Sequence, residues 1–231
     1  VTALLEVIAL GAHDAERAQE GGADRLELVA DMAADGLTPP AGVVREVLSA
    51  TDLPVRVMLR DTAGFAPADL DALRRTAGEL LAVGAREFVL GFLTPHGAVD
   101  AEACRAVLAE LGGARWTFHR ALDHAADPVA AWGVAAGLGC DTVLTAGHPG
   151  GVDQGLDVLH RLADLDGPPE LLVGGGLREE HLPVLRAAGV RAFHVGGAVR
   201  PGGWAEPVDA AAVRRWSDLV NGLGAVTPAP A

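Results

Sequence analysis

The stretch Gly21-Gly22-Ala23-Asp24-Arg25-Leu26-Glu27-Leu28 reads as a helix stop, a short turn and the start of a strand. Paired glycines end the helix predicted over 13–20, because glycine enters the left-handed conformation of a C-cap without steric cost. The phrase returns as Val83-Gly84-Ala85-Arg86, Leu138-Gly139-Cys140-Asp141 and Ala188-Gly189-Val190-Arg191, each time before a β-rich run. Outward from these turns, strands are predicted at 4–8, 25–29, 55–60, 88–91, 116–120, 142–145, 171–174 and 192–195. Helical patterns fill the intervals at 39–50, 67–83, 100–111, 127–139, 151–165, 178–188 and 209–219. Pro39 in the first turn of one of them suggests Thr38 as its cap. Such alternation requires parallel strands joined by right-handed helical crossovers. Eight units in 231 residues fit a single closed (β/α)8 TIM barrel of the α/β class. The rival, an open doubly wound sheet, would be large, and no Gly-x-Gly-x-x-Gly follows the first strand. One domain is expected over 1–224, with the proline- and alanine-rich segment 225–231 as a flexible tail.

The formal charge of −13 argues against holding nucleic acid, which needs a cationic face. All 18 basic residues are arginine, so a lysine Schiff base, a covalent pyridoxal phosphate site and a P-loop lysine are excluded, and no nucleotide cofactor is expected. Cys104 and Cys140, far apart in sequence, form neither a zinc pair nor a disulfide framework and suit a reducing compartment. No apolar run approaches the ~20 residues that span a bilayer, so a cytoplasmic protein without a membrane partner is expected.

In a barrel, the C-terminal strand ends and the loops after them build the site. Buried strands should be apolar, so polar residues near their C-terminal ends stand out. Taken strand by strand these are Glu6, Glu27, Arg60, Thr94, His119 and Arg120 with Asp123 nearby, Thr145 and His194. Each has a bland reading: Glu6 could pair with an arginine such as Arg60, His194 could be a satisfied core histidine, and Arg120 could clamp Asp123 across a turn. Their recurrence at one height points instead to a small-molecule or ion site. Glu6, Glu27, His119 and Asp123 are the candidate proton-transfer groups. His119, His194 and Glu27 are the candidate ligands of a divalent metal. Arg60, Arg120 and Thr145 are candidate substrate holders, the arginines through bidentate bonds to an anion. Gly175 and Gly176 after the seventh strand, and Gly196 and Gly197 after the eighth, could cradle phosphate or carboxylate with backbone N–H groups.

The same stretches, taken together from Leu5 to Arg200, resemble the CutC family of copper homeostasis proteins. The resemblance rests on Leu5-Glu6-Val7, the Gly21–Leu28 phrase, Gly36-Leu37-Thr38-Pro39, Val57-Met58-Leu59-Arg60, Gly91-Phe92-Leu93-Thr94, Thr117-Phe118-His119-Arg120-Ala121-Leu122-Asp123, Leu144-Thr145, Gly174-Gly175-Gly176 and Phe193-His194. It implies a cytosolic TIM barrel, a homodimer or higher homo-oligomer, associated with copper tolerance and copper binding. Relatives carry cysteines where this chain has Ile8 and Val29, a second arginine where it has Thr62, and a serine where it has Ala146. Cu(I) prefers thiolate and thioether ligands, so a metal here is expected on the histidines and carboxylates. Two functional readings follow. One is a copper-binding protein without turnover. The other is a lysine-independent isomerase or lyase acting on a small phosphorylated or carboxylated metabolite, with Glu6 or Glu27 as base and His119 as acid or electrophile. A scaffold whose site has decayed is the bland third.

Overall fold

The computed structural model describes residues 2–222, and the expected tail over 225–231 lies outside them. Eight parallel strands close in sequence order: β1 (Leu4–Ala9), β2 (Arg25–Leu28), β3 (Val55–Met58), β4 (Glu87–Leu90), β5 (Arg115–Phe118), β6 (Thr142–Thr145), β7 (Glu170–Val173) and β8 (Ala192–Val195), with β8 pairing back onto β1. The helices between and after them are α1 (Ala12–Gly21), α2 (Ala41–Ala50), α3 (Leu70–Ala82), α4 (Ala101–Leu108), α5 (Pro128–Gly137), α6 (Val152–Ala163), α7 (Leu182–Ala187) and α8 (Ala210–Val220). The closed (β/α)8 TIM barrel is therefore the observed fold, and an open sheet is excluded.

Period-two alternation splits every strand between two environments. Leu5, Val7, Leu26, Leu28, Val57, Phe88, Leu90, Phe118, Val143, Val173 and Phe193 pack with the helices in one large apolar core. The residues between them line the barrel axis. Two small apolar clusters occur there, Leu4 with Leu144, Leu172 and Ala192, and Ile8 with Val29, Met58 and Val89. The rest of the lining is ionic. Arg56 is completely buried, with Nε 3.0 Å from Glu87, Nη1 2.5 Å from the Thr117 hydroxyl and Nη2 3.0 Å from Asp141. Helix starts are fixed by aspartates: Asp69, Asp100, Asp127 and Asp209 each accept a backbone N–H at the cap of α3, α4, α5 and α8. Such caps contribute about 0.5–2 kcal/mol each.

Several predicted boundaries move, each for a local reason. β3 ends at Met58 and β5 at Phe118, which leaves Arg60, His119 and Arg120 beyond the ladder, where side chains can turn into the mouth. α2 begins at Ala41 after Pro40, and Thr38 does not cap it. The Thr38 hydroxyl instead accepts from the Arg60 backbone N–H and donates to the Arg60 carbonyl, tying two loops together. The helix predicted over 178–188 is broken into a 3-10 turn, Glu179–His181, and the shorter α7, with Pro183 in the first turn of α7.

Candidate active site

A cavity of about 360 Å³ opens at the C-terminal mouth of the barrel. Its polar wall includes Glu27, Arg60, His119, Arg120 and His194, and its apolar wall includes Ile8, Met32, Met58, Phe65 and Trp204. Gly175, Gly176, Gly196 and Gly197 close one side. Glu6, Asp123 and Thr145 do not line it; they sit behind the wall and hold the groups that do.

Strand register explains the depth of Glu6. Glu6 lies opposite both Arg25 and His194, whereas Glu27 lies opposite Ile8, a step nearer the mouth. Arg25, not the expected Arg60, pairs with Glu6, at 2.5 Å from Nε. His194 Nδ1 is 2.8 Å from the other Glu6 oxygen. Burial alone would raise the Glu6 carboxyl, but Arg25 and His194 outweigh it and hold it at about 2. Glu6 is thus an anion that accepts from His194 Nδ1–H. That fixes the ring, with Nε2 3.8 Å from Glu27 Oε2. Burial disfavours the imidazolium, yet Glu27 and Glu6 together raise the pKa of His194. A Cβ on Gly174 would lie 2.7 Å from His194 Cβ, so only glycine lets the ring occupy this place.

Glu27 behaves oppositely. Burial raises it, the Glu6 charge adds to that, and its carboxyl is pushed up to about 7 although His194, Arg25 and Arg60 pull it down. Its Oε1 is buried with no hydrogen-bond partner among the described residues.

His119 is held differently again. Its Nδ1 accepts the Ala121 backbone N–H at 3.1 Å, so the neutral ring carries its proton on Nε2. Burial, helped by Arg60 and Arg120, lowers its pKa to about 3. The Nε2–H has no partner among the described residues. A metal on Nε2 would move the neutral ring's proton to Nδ1, against the Ala121 N–H. The expected ligand set of His119, His194 and Glu27 is therefore corrected: among the described residues, the groups whose ligand atoms gather within 4.8 Å are Glu6, Glu27 and His194.

The expected role of Arg60 as an anion holder is also corrected. Its Nη1 donates to the carbonyls of Ala34, Asp35 and Gly36 at 3.0–3.1 Å, and Nη2 donates to Ala63 at 2.5 Å. It staples the loops after β2 and β3 and has little left for a ligand. Arg120 does clamp Asp123, at 2.7 Å from Nε. Asp123 also accepts from the Thr145 hydroxyl at 2.5 Å and from the Ala146 and Gly147 N–H groups. Thr145 and Asp123 are thus a support for Arg120. Thr94 binds within its own turn, its N–H donating to the Ala98 carbonyl, and does not line the cavity. Both cysteines are buried elsewhere, with burial pushing their thiols up to about 11 and about 12. The sulfurs in the cavity wall belong to Met32 and Met58. These, with Phe65, Leu177, Ala198 and Trp204, are wall residues that strand-end reading passes over, because most belong to loops whose paths have no periodicity.

Fold and cavity together define a TIM barrel with an open, partly polar cavity at the face where such barrels place their chemistry. The sequence matches the CutC family over residues 3–199, and the chain belongs to that family. A family protein CutC of Xanthomonas campestris is 35% identical over 195 residues, covering 82% of this chain and 81% of that protein. The human copper homeostasis protein cutC homolog is 33% identical over 196 residues, covering 83% and 72%. Among solved structures, one assigned as the copper homeostasis protein CutC of Streptococcus agalactiae has a TM-score of 0.77 at 26% identity, covering 84% of this chain and 98% of that one.

Proposed function

We propose that this chain is an enzyme that moves a proton on a small carbonyl compound, as an isomerase or a lyase. One observation carries the reading: a buried carboxyl poised near neutrality and a neutral imidazole line the same cavity, and Glu27 Oε1 and the His119 Nε2–H have no hydrogen-bond partner among the described residues. Ionised Glu27 takes a proton from the carbon next to the carbonyl. The electron pair moves onto the carbonyl oxygen, which accepts the hydrogen bond from His119 Nε2–H. A neutral imidazole is a better match than a cation for that oxygen, since it donates without being desolvated as a charge. Where that carbon bears a hydroxyl, the hydroxyl proton passes to the former carbonyl oxygen, the new carbonyl forms at the hydroxyl carbon, and Glu27 returns its proton to the former carbonyl carbon, which completes isomerisation; where a β-substituent leaves with its electron pair as the carbonyl re-forms, the result is elimination. His194 and Glu6 position Glu27 and keep it near its working pKa. No lysine is required. Two buried, unpaired thiols fit a reducing compartment, and we place the chain in the cytosol.

The test is deuterium uptake in heavy water across a panel of hydroxyaldehydes, hydroxyketones and 2-oxo acids. Uptake into at least one compound, lost by about 100-fold or more in Glu27→Gln, is expected. Absence of exchange from the whole panel would count against the reading.

A second reading, copper binding, is favoured by the gathered Glu6, Glu27 and His194 and by the names of the relatives. Without thiolates in the cavity the donor set does not suit Cu(I) as a cysteine site, and carboxylates with an imidazole suit a divalent ion better. Glu6 would have to serve while already paired with Arg25. Tight Cu(II) uptake lost in His194→Ala, with no proton exchange on any compound, would make this the better account.

A further inference from the structure

Two loops that leave adjacent strands contribute to the cavity wall. Gly175, Gly176 and Leu177 follow β7, and Gly196, Gly197 and Ala198 follow β8. All six residues line the cavity. Among the described residues, none of their backbone N–H groups donates to a carbonyl or a side chain. Neighbouring groups in the same loops are satisfied: the Gly174 N–H meets the Thr145 carbonyl, and the Val199 N–H meets the Gly196 carbonyl. A cluster of unused donors at a cavity wall is the complement of an acceptor that is not protein.

Arg120 joins them. A Cβ built on Gly175 would lie 2.6 Å from Arg120 Cζ, so the guanidinium rests directly on that loop. Asp123 takes its Nε, and Nη2 makes one long bond of 3.4 Å to the Pro149 carbonyl. Nη1 has no such bond among the described residues, the side chain is 36% exposed, and Arg120 lines the cavity. The carboxylate that holds Arg120 therefore orients it without occupying the edge that a ligand would meet. Independently, the buried Glu27 Oε1 and His119 Nε2 in the same cavity have no hydrogen-bond partner among the described residues, which places the reacting part of a ligand beside them.

We propose that the substrate is a phosphate monoester, with its phosphate held by Arg120 Nη1 and the N–H groups of the two glycine loops and its carbonyl directed to His119. A tetrahedral dianion can accept from two loops and a guanidinium at once; a planar carboxylate has too few directions to use both loops. The proposal rests on the proton-transfer reading and narrows its substrate class.

The test uses the full chain with inorganic phosphate as probe, followed by amide NMR. Saturable binding is expected, with the amide signals of Gly175, Gly176, Leu177, Gly196, Gly197 and Ala198 shifting together. Arg120→Gln should weaken it by about tenfold, and acetate should bind more weakly than phosphate. Should Arg120→Gln perturb the fold, the shifts in the unsubstituted protein still decide. Phosphate that moves none of these signals, or binds no better than acetate, overturns the proposal. The two readings fail separately. Deuterium exchange confined to unphosphorylated carbonyl compounds would leave Glu27 as base and remove the phosphate. Phosphate binding at the loops without exchange on any phosphorylated carbonyl compound would keep the anion site as a binding site, while the proposal of a phosphorylated substrate oriented to His119 falls with the proton-transfer reading.

Discussion

Glu6 and Glu27 stand on adjacent strands, both almost fully buried, yet one is held at about 2 and the other pushed up to about 7. The difference is their neighbours. Glu6 has a guanidinium at 2.5 Å, whereas one Glu27 oxygen has no hydrogen-bond partner among the described residues. Their effects on stability consequently have opposite signs. Glu6 stabilises the fold above its unfolded pKa, and that contribution is lost as pH falls towards 2. Glu27 costs stability as pH rises from its unfolded value, 4.5, through its folded value near 7, because the unfolded chain ionises first. At 1.36 kcal/mol per pKa unit the cost is on the order of 3 kcal/mol above neutrality. Glu27→Gln should therefore be more stable than the parent at about pH 8 and similar at about pH 4, while Glu6→Gln should lose about 3 kcal/mol or more by leaving Arg25 buried and unpaired. Urea unfolding at both pH values checks this; a Glu27→Gln advantage that does not grow with pH would show that the carboxyl is not raised. His119 gives a third residue-level expectation. Its ring nitrogens should show a neutral Nε2–H tautomer with no titration between about pH 5 and pH 8 in nitrogen-detected NMR.

At the scale of elements, the sequence is legible where periodicity is strong. All eight strands and the helices between them can be read from apolar runs punctuated by glycine turns, and the polar strand ends point to the mouth. What cannot be read is depth and loop path. Period two tells that Glu6 and Glu27 share the inward face, but the stagger of the barrel decides that Glu6 is level with His194 while Glu27 is level with Ile8. Arg60 shows the other limit. An arginine at a strand end has the same sequence signature whether it meets a ligand or a set of backbone carbonyls. Here it holds the loop that contains Asp31 and Asp35, whose φ values of 49° and 57° are left-handed and costly for residues with a side chain. Its planar fork reaches carbonyls on two loops; an ammonium would reach fewer. Arg60→Lys should leave the barrel folded but raise amide exchange over 31–36 and 61–66, with a higher KM for whatever occupies the cavity. Exchange that rises equally in α5 and α6 would mean global destabilisation and would defeat this account.

Across the whole molecule, the barrel interior departs from the branched apolar packing usual in this fold. Glu6, Arg25, Glu27, Arg56, Glu87, Thr117 and His194 are carried on six of the eight strands, and Asp141 just before β6 adds to them. Arg56 is the member on which most of the closure converges: from β3 it reaches Glu87 on β4, Thr117 on β5 and Asp141. Asp141 also receives Arg115 at 2.7 Å, so one connected network spans four consecutive segments of the barrel. Burying such charges costs several kcal/mol per ion before pairing, so the network stabilises only while complete. Arg56→Met removes the central cation and leaves the partly buried Glu87 and Asp141 with the more exposed Arg115 as their shared cation. The expected loss is about 3–5 kcal/mol, seen as a fall in the unfolding midpoint with an unchanged denaturant slope, since the same surface is exposed on unfolding. Adding Asp141→Asn and Glu87→Gln to Arg56→Met should recover part of that loss, because the stranded charges, rather than the missing contacts, account for most of it. If the triple variant is as unstable as Arg56→Met alone, packing around the arginine stem holds the barrel and the ion pairs are incidental. In either case the mouth residues should be unaffected in their amide spectra, since Arg56 lies at the opposite end of its strand from the segment that carries Arg60.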